Sequence, residues 1–362
     1  MLLKIPYKLL ICFLLMPLMV LANTELKSTK ATKERTIKKT FNVSSDATLK
    51  VKNSFGNITV ITWDENRIDF DITIKVSGNN DEKVMDRLER IDVKFSSSPD
   101  LVSASTEIGK NEKNWWNWGK KMNLKIEIDY IIKVPISNNV DLNNEFGAIT
   151  VDKLKGSAQL NCDFGKITAK ELLSQNNKIS FSHSKNCYFD YINSATIKAE
   201  HSEFIVAKVE NITIDADHTK SSVEAAENVK YDCDFGSISI ENVNNIEGQG
   251  KHLTTRIGNV FKNLSLDNTH GTLKIDRLAP SVNKVNLESE FTSTTIGFDS
   301  ALNFNFDLNL EFGSLRDSEG FKFTSKEIDQ TDKRYKGYHG MKDTGTVIKV
   351  NSEHSNISFK KQ

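Results

Sequence analysis

The feature that most constrains this chain is a short internal repeat, marked by an aromatic or imidazole ring followed by a small residue. The pair recurs as Phe55-Gly56, Phe146-Gly147, Phe164-Gly165, His183-Ser184, His201-Ser202, His218-Thr219, Phe235-Gly236, His270-Gly271, Phe291-Thr292, Phe312-Gly313 and His354-Ser355. From Phe146 to Phe235 the steps are 18, 19, 18, 17 and 17 residues. A unit that short can bury its apolar set only against a neighbouring unit, so the repeat implies stacking along one axis. After Phe235 the rhythm wobbles: Ile257-Gly258 comes 22 residues on and 13 before His270, although the sum still makes two periods.

Four places before the ring stand Val51, Leu142, Leu160, Ile179, Ile197, Ile214, Tyr231, Leu266, Leu287, Leu308 and Val350, all apolar. Six places before it apolar residues recur again, Asn177 being the exception. This period-two alternation is that of a strand with one inward face. After the small residue the phase slips by one, so that Ile58 pairs with Val60, Ile167 with Ala169 and Ile238 with Ile240. A bend at glycine accounts for the slip, because glycine reaches positive φ without a Cβ clash. A third apolar contact follows at Trp63, Leu154, Leu172, Val209, Val243 and Leu278. Three inward segments per period, separated by corners, predict an all-β chain. The expected fold is a parallel β-helix (a β-solenoid) of about 17–22 residues per coil, right-handed by default.

Residues 61–136 interrupt the rhythm. Ile68 to Val76 alternate as a strand, Asp81 to Arg90 carry the apolar spacing of a short helix, and Leu124 to Val134 read as strand again. Such a strand-helix-strand insertion suits an N-terminal cap that blocks an open sheet edge. The expected organisation is a signal peptide over 1–22, a flexible segment over 23–40, and the first coil with its cap over 41–136. Repeats then fill 137–318, and 319–362 hold a loop excursion and a terminal coil.

Met1 to Ala22 combine Lys4 and Lys8, an apolar run from Leu9 to Leu21, and a small-residue cleavage signal, the pattern of a secretory leader. No further stretch is apolar and long enough to span a bilayer, so no transmembrane span is expected after cleavage. Three cysteines would then remain, Cys162, Cys187 and Cys233, without metal-like spacing. They read as buried free thiols. Forty-eight basic residues balance forty-eight acidic ones, and this even charge offers nothing to nucleic acid.

No residues form a catalytic constellation, and no cofactor is expected. Asp163-Phe164-Gly165 and Asp234-Phe235-Gly236 copy a kinase triplet in letters only, since the repeat supplies Glu145-Phe146-Gly147 at the same phase. Two features point to a binding surface. Trp115, Trp116 and Trp118 crowd one short segment among lysines, where rigid rings suit a sugar face, a partner or a headgroup layer, or staple the cap. His183, His201 and His218 fall on the ring position of three consecutive repeats and would stack, either as a ladder of flat rings or as a metal column. Sequons at Asn42, Asn57, Asn211, Asn263 and Asn356 read as by-products of corner composition.

Asn53-Ser54-Phe55-Gly56-Asn57-Ile58-Thr59-Val60, the strand and short helix that follow, Tyr130 to Pro135 leading into Val140 to Val151, and the closing Thr346 to Phe359 resemble the putative-adhesin domain family of bacterial envelope proteins. The resemblance implies an exported β-solenoid located in the periplasm, on the cell surface or secreted. It supplies no catalytic residues. The leading expectation is a monomeric, non-enzymatic, adhesin-like or scaffold protein that binds a glycan, an envelope component or another protein. The alternatives are a polysaccharide-acting β-helix enzyme and a periplasmic metal-binding module built on the histidine column.

Overall fold

The structure is a computed structural model that describes residues 30–109 and 124–362. The expected signal peptide and Trp115, Trp116 and Trp118 lie outside the described residues. Within them the chain is almost entirely extended, with one helix, Asp81–Glu89.

Strands follow one another in parallel register at the period of the rings. Asn139–Phe146 pairs with Ala158–Asp163 so that Leu142 faces Leu160. Leu160 faces Ile179 in Asn177–Ser182, and Ile179 faces Ile197 in Cys187–Glu200. Ile197 in turn faces Ile214 in Glu203–Asp217, and Ile214 faces Tyr231 in the extended run Lys220–Leu278. The segments after the ring pair likewise, Ile149 with Ile167 and Val206 with Val223. Leu142, Leu160, Ile197 and Ile214 are fully buried. A slip of one residue would turn this whole set outward, so burial itself holds the register. The polar exception, Asn177, is also buried, and its amide is fully used. Its Oδ1 accepts from Ala158 N, while Nδ2 donates to the carbonyls of Ser174 and Ser194.

The corner differs from expectation. At the residue after the ring, glycine takes positive φ at Gly56 (97°) and Gly147 (136°), in the first two repeats. From Phe164 onward the ring residue itself is left-handed, with φ between 46° at Phe291 and 56° at His270. The following residue is small for another reason: a Cβ at Gly165 or Gly236 would collide with the carbonyl oxygen of Gly147 or Thr219 in the neighbouring repeat. Where Ser or Thr stands instead, its hydroxyl is recruited. Ser202 Oγ accepts from Ser184 N and donates to Glu200 O, and Thr219 Oγ1 accepts from Ser202 N and donates to Asp217 O.

The wobble after Phe235 is resolved by His252, which carries φ 51° and takes the ring position in place of Ile257. It stands 17 residues after Phe235 and 18 before His270, so the rhythm never breaks. Its repeat is disguised by compensating sizes. Gly248 occupies the inward position where other repeats carry a large apolar residue, because the Tyr231 ring from the previous repeat fills that space.

At the N-terminal end, Ala31–Asn42 pairs antiparallel with Arg67–Gly78, so the expected flexible segment 23–40 is strand from Ala31 onward. Arg67–Gly78 pairs antiparallel with Lys125–Pro135, which joins Ile58–Trp63 in parallel. The helix is capped by Asn80, whose side chain accepts from Lys83 N, and it buries Val84 and Leu88. A hairpin that the periodicity did not reveal, Ile91–Ser98 with Leu101–Ile108, lays its second strand on Thr48–Phe55.

The C-terminal end departs from chain order. Val347–Glu353 inserts between Lys284–Phe298 and Phe304–Glu311 and pairs in parallel with both. The expected loop excursion contains a second antiparallel hairpin, Phe321–Ile328 with Asp332–His339, whose second strand covers the far edge of Phe304–Glu311.

Candidate functional site: a ring column and an amide-lined trough

The left-handed corners place the rings in one column. Its order is Phe55, Phe146, Phe164, His183, His201, His218, Phe235, His252, His270, Phe291, His354 and Phe312, with neighbouring centroids 4.6 to 5.4 Å apart. A left-handed backbone costs a residue with a Cβ about 1–2 kcal/mol. A stacked aromatic pair returns about 0.5–1.5 kcal/mol, so the column offsets much of its own backbone strain. Histidine suits the site further because it is enriched among non-glycine residues at positive φ.

The three expected histidines are adjacent, His183 to His201 at 5.1 Å and His201 to His218 at 4.8 Å. Their rings are tilted by 36° and 38° to one another. His218 Nδ1 lies 2.8 Å from Asp217 Oδ1, and His354 Nε2 lies 3.3 Å from Glu353 Oε1. Among the described residues no group of three or more His, Cys, Asp or Glu side chains is placed to hold a metal ion. Cys162, Cys187 and Cys233 are free and buried. Burial pushes their thiols up to about 12, 11 and 12, so they stay protonated at neutral pH.

A second feature runs parallel to the column, on the outward residues seven and five places before each ring. Asn211, Asn228, Asn245 and Asn263 make one row, in which the Nδ2 of Asn228, Asn245 and Asn263 donates to the Oδ1 of the asparagine before it at 2.8, 2.9 and 2.8 Å. Thr196, Thr213, Lys230, Glu247 and Ser265 make the other, and Lys230 Nζ is neutralised by Glu247 Oε1 at 2.9 Å. Together they line an open trough of 640 Å³ that extends from Gln175 to Asn286. Asn228 and Asn245 each spend one N–H and one oxygen lone pair on the row and keep another of each for a ligand. Strand spacing repeats this donor–acceptor pair about every 4.8 Å. The signal for the trough was present in the sequence as asparagine recurring at one phase. The sequons at Asn211 and Asn263 mask it, because they give two of its members a separate local explanation.

No family model matches the chain, and no curated protein matches it. Among solved structures it is similar to a putative adhesin from Parabacteroides distasonis, at 10% identity over 90% of this chain and 97% of that one, with a TM-score of 0.33. A putative adhesin from Bacteroides fragilis matches at 10% identity over 91% and 97%, with a TM-score of 0.28. A putative lipid binding protein from Parabacteroides distasonis matches at 9% identity over 92% and 97%, with a TM-score of 0.25. Likeness of this strength carries no argument about what this chain binds.

Proposed function

We propose that the chain is a non-enzymatic, exported protein of the bacterial envelope: a β-solenoid that binds an extended ligand along its trough, in the manner of an adhesin or scaffold. The observation that carries this reading is the amide row of Asn211, Asn228, Asn245 and Asn263, which repeats one set of donors and acceptors along an open trough. A periodic site matches a periodic ligand. The lining is mostly amide and hydroxyl, with Lys230 neutralised by Glu247 and Lys284 at one end, and it favours an uncharged polar chain such as a glycan. In the same reading the cap, the repeats and the terminal coil form one stack, and Trp115, Trp116 and Trp118 supply a second contact surface.

The test is thermal shift of the full chain against a panel of glycans and envelope fractions, because a ligand that binds only the native state raises the melting temperature by mass action. A stabilising ligand whose effect is lost in Asn228→Leu/Asn245→Leu supports the trough. Loss in the triple Trp→Ser variant instead would move the site to residues 115–118. Turnover of a polysaccharide would overturn the non-enzymatic reading.

A further inference from the structure

The coil that closes this stack comes last in the chain but not last in space. Val347–Glu353 hydrogen-bonds along both edges, and Asn356–Lys361 continues the insertion between the second half of Lys284–Phe298 and Ser314–Arg316. Without this segment the two flanking coils would bound a slot one strand wide. All three coils share one phase: Val285, Ile348 and Phe306 stand in one inward row, and Leu287, Val350 and Leu308 in the next. His354 fits the ring column between Phe291 and Phe312, at 4.6 and 4.7 Å.

The seam around the inserted coil buries polar groups that gain no partner there, as some other positions of the stack also do. Ser289 and Ser352 face each other in register, both buried, and neither hydroxyl has a partner. One coil earlier, Asn268 is buried with both amide atoms unpartnered. The tether to this segment lies on the surface: Met341 is 66% exposed, and a Cβ added at Gly345 would meet open space.

We infer that residues 347–361 are an exchangeable closing segment, able to leave the slot of their own chain and fill the same slot in a second copy. The slot's side-chain contacts select this occupant. Asn351 donates to Glu288 Oε1 on one side and accepts from Asn309 Nδ2 on the other, both at 2.8 Å. Ser355 Oγ accepts from Thr292 N at 2.7 Å, and Ser358 Oγ donates to Asp317 Oδ2 at 2.6 Å. A second copy carries the same contacts on the same tether, which is the condition for swapping an identical element between protomers.

Cysteines introduced at the facing serines test this in the full chain. Ser289→Cys/Ser352→Cys in one chain should form an internal disulfide on mild oxidation, since paired strands meet the Cα separation a disulfide needs. A mixture of the Ser289→Cys and Ser352→Cys single variants should give covalent dimers, increasing with protein concentration and exceeding several-fold those of either variant alone. Two results would overturn the proposal. An internal crosslink in the double variant with no dimer in the mixture would show the segment fixed in its own chain. No internal crosslink would show that the segment does not lie between its two neighbours.

Discussion

The run from Asn139 to Phe298 and the stretch from Phe304 to Gln362 are built from the same inward rows, but they are assembled in different orders. In the first, each strand pairs with its counterpart one repeat later in the chain, as Leu160 with Ile179 and Ile179 with Ile197. In the second, Phe304–Glu311 lies two strands from Lys284–Phe298, and the last segment of the chain fills the place between them. The repeat phase therefore decides which strands are able to pair, and something else decides which of them do. At the C-terminal end that determinant is local. Asp299 accepts from Ala301 N and is bound by Arg277 at 2.6 Å, which fixes the turn leaving Phe298. The Asp332–His339 strand then holds the outer edge of Phe304–Glu311.

The comparison predicts unequal damage from the same insult, and this is the largest effect expected. Ile214→Asp places a charge in the middle of the buried inward rows and should abolish soluble folding, as should Leu160→Asp. Val350→Asp places the same charge in the inserted coil and should release that coil while hydrogen exchange in 139–298 stays slow. Lys166→Asp faces solvent and should change stability by no more than about 0.5 kcal/mol. Equal loss of protection over 139–298 in Val350→Asp and Ile214→Asp would erase the distinction between the two regions.

Glycines sharpen it next. Gly236→Ala drives a Cβ into Thr219 O and should cost about 1–3 kcal/mol, as overpacking does. Gly345→Ala, in the tether, meets nothing within 4 Å and should be neutral by chemical denaturation. A smaller effect tests the corner itself. Phe235 at φ 48° should tolerate glycine better than alanine by about 1 kcal/mol, because alanine loses the stack but keeps the strain. Alanine equal to or better than glycine would contradict the left-handed corner.

The smallest effect concerns alkaline pH. The thiol of Cys162 titrates near 9 when exposed by unfolding and near 12 when folded, with Cys187 and Cys233 raised in the same direction. The unfolded state therefore loses these protons first. Stability is complete below pH 9 and should decline as pH rises toward 11 and 12. Iodoacetamide at pH 8 should label these thiols only once the chain is denatured. Rapid labelling of the folded chain would place them outside the core.

Where one residue type carried one role, the sequence was legible. The inward rows, the Asp81–Glu89 helix, the Arg67–Gly78 strand and the buried thiols all follow from periodicity and composition. Legibility failed where two residues share a role. His252 was hidden because Tyr231 and Gly248 trade volume across repeats and Leu253 replaces the small residue. The order of the last coils was hidden because Phe312 and His354 carry the same phase, and phase does not encode neighbour choice. Positive φ was assigned to glycine on sterics alone, whereas the stacked ring column lets Phe and His adopt it.

Distances between spin labels on the outward residues five places before the rings test the central claim most directly. In a register-matched stack, the separation from Lys178 to Thr196, Thr213, Lys230 and Asn286 should grow with the number of coils crossed, by about 4.8 Å each. From Asn286, Lys349 should lie one coil away and Asp307 two, although Asp307 is much the nearer in sequence. Distances that rise in this order would establish both the stack and its interleaved end. Distances that fail to grow from coil to coil, or an Asp307 label closer to Asn286 than Lys349 is, would contradict it.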